Sequence, residues 1–286
     1  MALTPLPQIM LEPLVRAALL EDLGRAGDLT TNAIVPTDVT ATMVLVARQA
    51  GVIAGLDVAA LAFRLIDPAA EIVVAHPDGS SVSAGAVIAT IRGPARALLT
   101  AERTALNFLC HLSGIATATA AIVEAVRDHK ARIVCTRKTT PGLRALEKSA
   151  VRAGGGANHR FGLDDAVLIK DNHIAIVGDI RTAIARARAR AGPMVKIEVE
   201  VDTLDQLDIA LAAGVDAVLL DNMPLEELAR AVVMVDGRTI TEASGRVTPV
   251  TAPLIAATGV DLISVGWLTH SAPILDIGLD TVAAAG

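Results

Sequence analysis

The spacing of hydrophobic and polar residues divides the chain into two parts. Up to about residue 114 it predicts mixed helices and strands: a short helix at 11–20, a loop at 22–36, an extended segment at 42–53 and a helix at 57–66. A strand at 71–75 and a strand pair around 82–91 follow, and Pro77, Asp78 and Gly79 predict a turn between them because glycine accepts a positive φ. A helix at 98–127 is apolar on most sides, which is typical of a buried helix or a subunit contact.

Beyond residue 130, short apolar runs rich in β-branched residues alternate with helical segments. Six runs are candidate buried parallel strands, at 132–136, 166–169, 195–199, 217–220, 238–242 and 262–265. Helices are predicted at 180–191, 204–213, 225–234 and 252–258. The tripeptide Gly-Val-Asp occurs at 214–216 and again at 259–261, where glycine ends a helix and a strand begins. This alternation predicts a β/α barrel or a doubly wound sheet.

Polar residues or glycines close each of the six runs, and this favours the barrel. No Gly-x-Gly-x-x-Gly motif follows a first strand, which argues against a dinucleotide fold. In β/α barrels the carboxyl ends of the strands form the active face, so these residues should converge on one mouth. They are Arg137, Lys138, Lys170, Glu200, Asp221, Ser244, Gly245 and Gly266.

Composition narrows the class of protein. The net charge of −6 argues against a nucleic-acid-binding protein. Apolar residues make up 52% of the chain, but polar residues interrupt them, and the first eleven residues lack the pattern of a signal peptide. We therefore expect a cytoplasmic protein that does not enter a membrane. Cys110 and Cys135 lie in apolar segments and are expected to be reduced packing thiols.

Charge is unevenly distributed along the chain. Residues 137–170 contain seven Lys or Arg and three acids, so this window carries +4 while the remainder carries −10. Such a local cluster suggests a small anionic ligand. The helical spacing of Arg144, Lys148 and Arg152 favours a solvated helix face for these three.

The residues at the predicted mouth have complementary chemistry. Arginine and lysine side chains bind carboxylate and phosphate groups, and Arg137, Lys138 and Lys170 together with His159 and Arg160 form a candidate site for two anionic groups. Glu200 and Asp221 offer oxygen ligands for magnesium or for ribose hydroxyls. Glu198 shares a strand face with Glu200, so spacing alone leaves both open; we favour Glu200 because it lies nearer the strand end. The loops at Ser244, Gly245 and Gly266 can offer backbone amides to a phosphate.

Several motifs together resemble the quinolinate phosphoribosyltransferase family. The resemblance spans nearly the whole chain and rests on Glu21–Gly24, Gly27–Thr31, Glu102–Asn107, Thr136–Gly142, Gly154–Arg160, Ala166–His173, Leu220–Asn222, Glu242–Gly245, Ser264–Gly266 and Leu268–Ser271. It implies an irregular β/α barrel at 115–271 and an N-terminal open-faced α/β sandwich domain at 1–114 that the C-terminal segment 272–286 joins.

The resemblance also implies an activity, a nicotinate-nucleotide diphosphorylase (carboxylating), which is a pentosyltransferase of NAD biosynthesis. Quinolinate and phosphoribosyl pyrophosphate would be the substrates, Mg²⁺ the cofactor, and the protein a homo-oligomer, a dimer or a hexamer of dimers, with an active site shared between subunits. Arg103 would reach across to the partner subunit, and Lys138, Glu200 and Asp221 would carry the catalysis. The substrate-binding residues would be Arg103, Thr136, Arg137, Lys138, His159, Arg160, Lys170, Glu200, Asp221, Ser244, Gly245, Arg246, Val265, Gly266 and Trp267, with Glu200 and Asp221 also binding the metal. Two positions depart from the family pattern: Arg246 replaces the usual glycine and Trp267 replaces a small residue.

Two other functions stay open at this point. A lysine at a strand end, Lys170 or Lys138, could form a Schiff base in a barrel lyase. A relative of the same fold found in molybdenum operons resembles the family around Arg137 and Lys138 but lacks the stretch from Lys170 to His173. The set of five cations favours the transferase, because a lyase needs one lysine.

Overall fold

The structure is a computed structural model that describes residues 3–282. Its helices are α1 (Gln8–Leu23), α2 (Leu29–Ile34), α3 (Leu56–Ile66), α4 (Ala95–Ala125), α5 (Arg144–Ala153), α6 (Asp171–Val177), α7 (Ile180–Arg190), α8 (Leu204–Ala213), α9 (Leu225–Val235), α10 (Ala252–Ala257) and α11 (Trp267–His270). Its strands are β1 (Thr40–Ala47), β2 (Gly51–Val52), β3 (Glu71–Val74), β4 (Ser81–Val82), β5 (Val87–Pro94), β6 (Arg132–Val134), β7 (Val167–Ile169), β8 (Ile197–Val201), β9 (Ala217–Asp221), β10 (Ile240–Ser244), β11 (Leu262–Ser264) and β12 (Ile277–Thr281).

The chain divides into two compact units. The first contains residues 1–120, 140–155 and 271–286, and the second contains 121–139 and 156–270. Residues 1–2 and 283–286 of the predicted N-terminal domain lie outside the described residues. The domain boundary between 114 and 115 stays a prediction.

The first unit is built on a four-stranded antiparallel sheet with the order β12-β1-β5-β3. In β1 the side chains of Met43, Leu45 and Ala47 are buried at every second position, as expected of a strand with one face on a core. Strand β12 comes from the C-terminal end of the chain and pairs with β1, so that Met43 lies opposite Thr281. The C-terminal segment thus completes the edge of the N-terminal sheet.

Two expectations about the helices and strands of this unit are corrected by the structure. The segment 22–36, predicted as a loop, contains α2, because the Asp28 side chain accepts a hydrogen bond from the Thr31 N–H and caps this short helix. The two strands around 82–91 do not pair with each other. Strand β4 pairs with β2, whereas β5 lies between β1 and β3.

Helix α5 is less exposed than its charge pattern predicted. Lys148 is only 2% exposed and Glu147 is fully buried, so the expectation of a solvated face at Lys148 was wrong. Consecutive positions from Leu146 to Lys148 are buried together with Ala150 and Val151, so the helix is enclosed around more than half of its circumference. The buried Glu147 carboxylate accepts a hydrogen bond from the Thr140 N–H and pairs with Nε2 of His111 at 2.9 Å.

The second unit is an irregular β/α barrel of six parallel strands with the order β6-β11-β10-β9-β8-β7. All six predicted strands are present, with β8 and β10 starting two residues later than expected. Helices α7 to α10 confirm the predicted helical segments between strands. The pairing of β9 with β10 places Asp221 opposite Ser244 at their carboxyl ends.

The repeated Gly-Val-Asp tripeptide has a structural role in this barrel. Gly214 ends α8 with a φ of 71°, and the Asp216 carboxylate then accepts the N–H of Ile197 and the ammonium of Lys196. In the second copy, Asp261 accepts the Thr241 N–H at 2.9 Å and the Lys130 ammonium at 2.8 Å. Each aspartate therefore joins the amino end of its own strand to that of a neighbouring strand, at the end of the barrel opposite to the predicted mouth.

Helix α4 confirms the helix predicted at 98–127. By length and composition alone it could cross a membrane, with a mean hydropathy of 1.5 in its most apolar 18-residue window. Of that window, 61% is buried inside the protein, which is the burial expected of a core helix.

Candidate active site

A cavity of about 700 Å³ opens at the carboxyl ends of the barrel strands. All the site residues predicted from the sequence line it, with the exception of Arg103. The lining consists of Thr136, Arg137, Lys138, His159, Arg160, Leu168, Lys170, Glu200, Leu219, Asp221, Asn222, Glu242, Ser244, Gly245, Arg246, Val247, Ser264, Val265, Gly266, Trp267 and His270. Residues that follow β6 and β7, the two ends of the sheet order, share this cavity, which shows that the sheet curves around it.

Arginine side chains contribute much of the positive charge in the cavity. The guanidinium of Arg160 donates to the Ala166 carbonyl at 2.9 Å, which fixes its direction. Burial, and then the neighbouring charge of Arg137, lowers the pKa of Arg160. The Nε atom of Arg137 is buried and has no hydrogen-bond partner among residues 3–282. A buried donor of this kind is costly unless a ligand accepts from it.

Two hydrogen bonds of its backbone position Lys138 at the mouth, and a neighbouring glycine leaves space for its side chain. Its N–H donates to Oγ1 of Thr136 at 3.0 Å, and its carbonyl accepts from the Thr269 hydroxyl at 2.8 Å. A Cβ atom on Gly266 would lie 2.9 Å from Cδ of Lys138, so a side chain at position 266 would displace the lysine. The absence of a side chain there therefore leaves room for the Lys138 stem.

The two predicted acids reach the cavity from β8 and β9. Oε2 of Glu200 accepts from the Lys170 ammonium at 3.0 Å, and the Glu200 side chain is only 11% exposed. Oδ2 of Asp221 accepts from the Asn222 amide at 2.6 Å. Glu198 lies on the same strand as Glu200 but is not among the residues that line the cavity, and its carboxylate pairs with His159. Of the two alternatives left open by the sequence, Glu200 is therefore the one that lines the cavity, and its role in the reaction stays a prediction.

His159 lies between two buried carboxylates. Its Nε2 atom is 2.9 Å from Oε2 of Glu198 and 3.2 Å from Oε2 of Glu242. The second contact has ion-pair distance but not hydrogen-bond geometry, so this Glu242 oxygen has no hydrogen-bond partner in the described chain. The hydrogen bond to Glu198, followed by the interaction with Glu242, raises the pKa of His159 to about 10. The N–H of Arg160 faces Nδ1 of the ring at 2.8 Å and favours the neutral form, but two carboxylates beside one imidazole outweigh this contact.

This cluster also has the donor set of a metal site. His159, Glu198 and Glu242 each offer one ligand atom, and these three atoms lie within 4.8 Å of one another. The charges of the three groups already balance in part, because an imidazolium lies between the carboxylates, and burial raises the pKa of Glu198. Glu200 and Asp221, in contrast, present carboxylates to the open cavity. One or two carboxylates together with water and substrate phosphates are the usual ligands of magnesium, so this pair fits the ion better.

The loops after β10 and β11 form the remaining wall. Gly245 has a φ of 107°, and a Cβ atom there would lie 2.2 Å from Oδ1 of Asn222, so only glycine fits. Arg246 follows with a φ of 46°, although it carries a side chain. The Trp267 indole N–H donates to the Val247 carbonyl at 2.9 Å and joins the two loops.

Sequence reasoning assigned no role to Glu242, Asn222 and His270, although all three line the cavity. All three belong to motifs that carry the family resemblance, and this was the available signal. Arg103 lies on α4 in the first unit and is exposed. Its predicted place in a partner subunit's site stays a prediction.

Comparison with known proteins identifies the family. The family model for the quinolinate phosphoribosyl transferase N-terminal domain matches residues 28–113, and the model for the C-terminal domain matches residues 115–280. The nicotinate-nucleotide pyrophosphorylase [carboxylating] of Mycobacterium leprae is 50% identical over 271 residues, which cover 93% of this chain and 95% of that protein. The probable enzyme of the same name from Bacillus subtilis is 45% identical and covers 95% and 93%.

Solved structures agree with this assignment. The crystal structure of NadC from Streptococcus pyogenes superimposes with a TM-score of 0.93 at 45% identity, covering 98% of this chain and 99% of that chain. The nicotinate-nucleotide pyrophosphorylase from Francisella tularensis has a TM-score of 0.92 at 38% identity, with 99% of both chains covered. The chain belongs to the quinolinate phosphoribosyltransferase family.

Proposed function

We propose that the cavity at the barrel mouth transfers the phosphoribosyl group of phosphoribosyl pyrophosphate to quinolinate. The products are nicotinate mononucleotide, pyrophosphate and CO₂, and the reaction belongs to NAD biosynthesis. The observation that carries this proposal is the convergence of six cationic side chains and three carboxylates on a single cavity at the carboxyl ends of the barrel strands. The relatives named as carboxylating pyrophosphorylases support the same reaction.

Quinolinate has two carboxylates on adjacent ring carbons, and the cationic side of the cavity suits them. Arg137 and Arg160 can each bind a carboxylate through two parallel N–H donors, and Arg137 has a buried donor that lacks a partner in the described part of the protein. Lys170 and protonated His159 add charge on the same wall. Such a site discriminates against an uncharged pyridine, because the buried Nε donor of Arg137 would then be left without an acceptor.

The phosphoribosyl pyrophosphate is assigned to the acidic side and to the two loops. Glu200 and Asp221 accept hydrogen bonds from ribose hydroxyls and would hold Mg²⁺, which neutralises charge on the pyrophosphate leaving group when bound. The 5′-phosphate is placed against the loops that contain Ser244, Gly245 and Gly266, with Thr136 and Val265 alongside. The side chain of Lys138 at the exposed mouth is assigned to the pyrophosphate.

The reaction then follows from the relative position of the two substrates. The quinolinate nitrogen attacks the anomeric carbon as the bond to pyrophosphate breaks, and the oxocarbenium-like charge is stabilised by Glu200 and Asp221. The carboxylate beside the nitrogen leaves as CO₂, because the positive ring nitrogen stabilises the carbanion, which then takes up a proton. No protein nucleophile is needed. Orientation of reactants alone can contribute about 7–11 kcal/mol in favourable systems.

The proposal also covers the oligomeric state of the protein and its location in the cell. We propose a homo-oligomer, a dimer or a hexamer of dimers, in which Arg103 of each subunit reaches the cavity of its partner. The exposed position of Arg103 leaves it free to do so. We also propose that the protein is cytoplasmic.

A direct assay tests the proposed reaction. The purified protein is incubated with quinolinate labelled in the carboxyl group next to the nitrogen, phosphoribosyl pyrophosphate and Mg²⁺. We expect labelled CO₂ and nicotinate mononucleotide in equal amounts. Borohydride trapping with carbonyl substrates provides the comparison with a Schiff-base lyase. Reduction of a covalent adduct at Lys170 or Lys138, without any mononucleotide, would refute the transferase.

A further inference from the structure

The loop Ser244–Val247 contains two successive residues with positive φ. Glycine adopts this conformation freely, and Gly245 does so at 107°. Arg246, at 46°, has a Cβ atom that opposes the left-handed conformation. Backbone strain of this kind persists only where the surrounding structure holds it, and it concentrates at ligand sites.

Trp267 provides a contact that can hold this loop. It is the first residue of α11, directly after the loop that follows β11, and its indole N–H donates to the carbonyl of Val247 at 2.9 Å. Val247 is only 4% exposed. If the Trp267 hydrogen bond were lost, water could replace it poorly as a partner of the Val247 carbonyl. The hydrogen bond joins the two loops to which the 5′-phosphate is assigned.

We propose that Trp267 is a positioning residue for phosphoribosyl pyrophosphate: its indole hydrogen bond to Val247 holds Arg246 and the loop Ser244–Val247 in the left-handed turn that receives the 5′-phosphate. The proposal rests on the proposed function of the cavity. Trp267 acts through the loop and not by a bond to the substrate. Its loss should therefore weaken the binding of one substrate and leave the chemical step intact.

The variant Trp267→Phe removes the N–H donor and retains an aromatic ring. Loss of one neutral hydrogen bond corresponds to about a two- to tenfold change in an equilibrium constant. We expect the KM for phosphoribosyl pyrophosphate to rise by about this factor, with kcat and the KM for quinolinate within about twofold of wild type. An unchanged KM for phosphoribosyl pyrophosphate, or an equal rise for both substrates, would overturn the proposal.

A double-mutant cycle tests the link to backbone strain. In the variant Arg246→Gly the residue at position 246 adopts a positive φ without strain, so the turn no longer needs the Trp267 hydrogen bond. Adding Trp267→Phe to this variant should therefore change its KM for phosphoribosyl pyrophosphate by less than about twofold, whatever effect Arg246→Gly has alone. The matched control is Asp236→Gly, which removes a positive-φ residue (47°) at the end of α9, outside the cavity lining. In the Asp236→Gly background, Trp267→Phe should raise the KM for phosphoribosyl pyrophosphate by the same factor as in the wild-type protein. Equal effects in all three backgrounds would contradict the assigned role.

Fluorescence gives a test that needs no variant. Trp267 is the single tryptophan of the chain, which contains no tyrosine, so the intrinsic emission reports on this residue. Phosphoribosyl pyrophosphate with Mg²⁺ should change the emission saturably, with a midpoint near its KM. Constant emission at saturation would contradict the proposal. Failure of the proposed function has a different signature, since the wild-type protein would then form no mononucleotide.

Discussion

The ammonium of Lys170 lies 3.0 Å from the carboxylate of Glu200, an ion pair that joins the ends of two adjacent strands, β7 and β8, inside the cavity. Glu200 is nearly enclosed, whereas the Lys170 side chain is 48% exposed. The lysine can therefore turn toward an anionic substrate while the glutamate keeps its position. We infer that the Lys170 ammonium can exchange Glu200 for a carboxylate of quinolinate.

The variant Glu200→Gln tests the role of the acid in this pair. Removal of its charge should lower kcat about 10²- to 10³-fold, the usual effect of losing one electrostatic contact to a transition state. The KM for quinolinate should change little, because Lys170 is still present. Steady-state kinetics measures both constants. The control Glu226→Gln, on the exposed first turn of α9, should keep wild-type rates, and an unchanged kcat in Glu200→Gln would remove this residue from the chemistry.

Lys138→Ala and Arg160→Ala should each abolish turnover and leave the fold intact, since both side chains line the cavity and neither lies in the hydrophobic core. Arg160→Lys should recover little activity, because lysine cannot offer two parallel donors to a carboxylate. Turnover and circular dichroism are measured together. Arg190→Ala, at the exposed end of α7, is the control, and normal turnover in either cavity variant would exclude that residue from the site.

His159 should stay protonated through neutral pH. An unfolded histidine titrates near pH 6.5, whereas Glu198 and Glu242 raise the folded pKa to about 10. The imidazolium therefore stabilises the fold fully below pH 6.5, and this contribution is lost as the pH rises through about 10. NMR of labelled histidine, assigned with His159→Asn, should show no titration of this ring between pH 5 and 8.5. A midpoint near 6.5 in the folded protein would contradict the assigned charge.

Mixing two inactive proteins tests the shared site. Arg103→Ala should lack the arginine that reaches across, and Lys170→Ala should lack a cation of its own cavity. When subunits exchange, some dimers contain one site with neither substitution, so partial activity should return. Each variant incubated alone under the same exchange conditions is the control. Activity that stays at the level of the single variants would argue against a site built by two subunits.

The barrel could be predicted from the sequence because buried parallel strands form continuous apolar runs. Each of the six runs was followed by a residue that now lines the cavity or lies in its loops. Barrel geometry alone was sufficient to predict the convergence of Arg137, Lys170 and Asp221. Their roles in binding and catalysis remain predictions.

Other features depended on contacts that spacing does not encode. Glu242 belongs to the motif Glu242–Gly245, but the motif does not reveal its partner, and its ion pair with His159 is visible only in the structure. Lys148 has the spacing of an exposed helix face, but tertiary packing buries it. Helix α6 follows β7 after one residue, Lys170, whose N–H donates to Nδ1 of His173, and the hydrophobic pattern did not predict this helix.

The central claim is that a pyridine dicarboxylate and a sugar pyrophosphate lie side by side in one cavity. A crystal structure of the protein with quinolinate and a non-reactive analogue of phosphoribosyl pyrophosphate tests it most directly. We predict that the quinolinate carboxylates contact Arg137 and Arg160, and that the ribose hydroxyls lie within hydrogen-bond distance of Glu200 or Asp221. Ligand density at any other surface, with this cavity empty, would contradict the account.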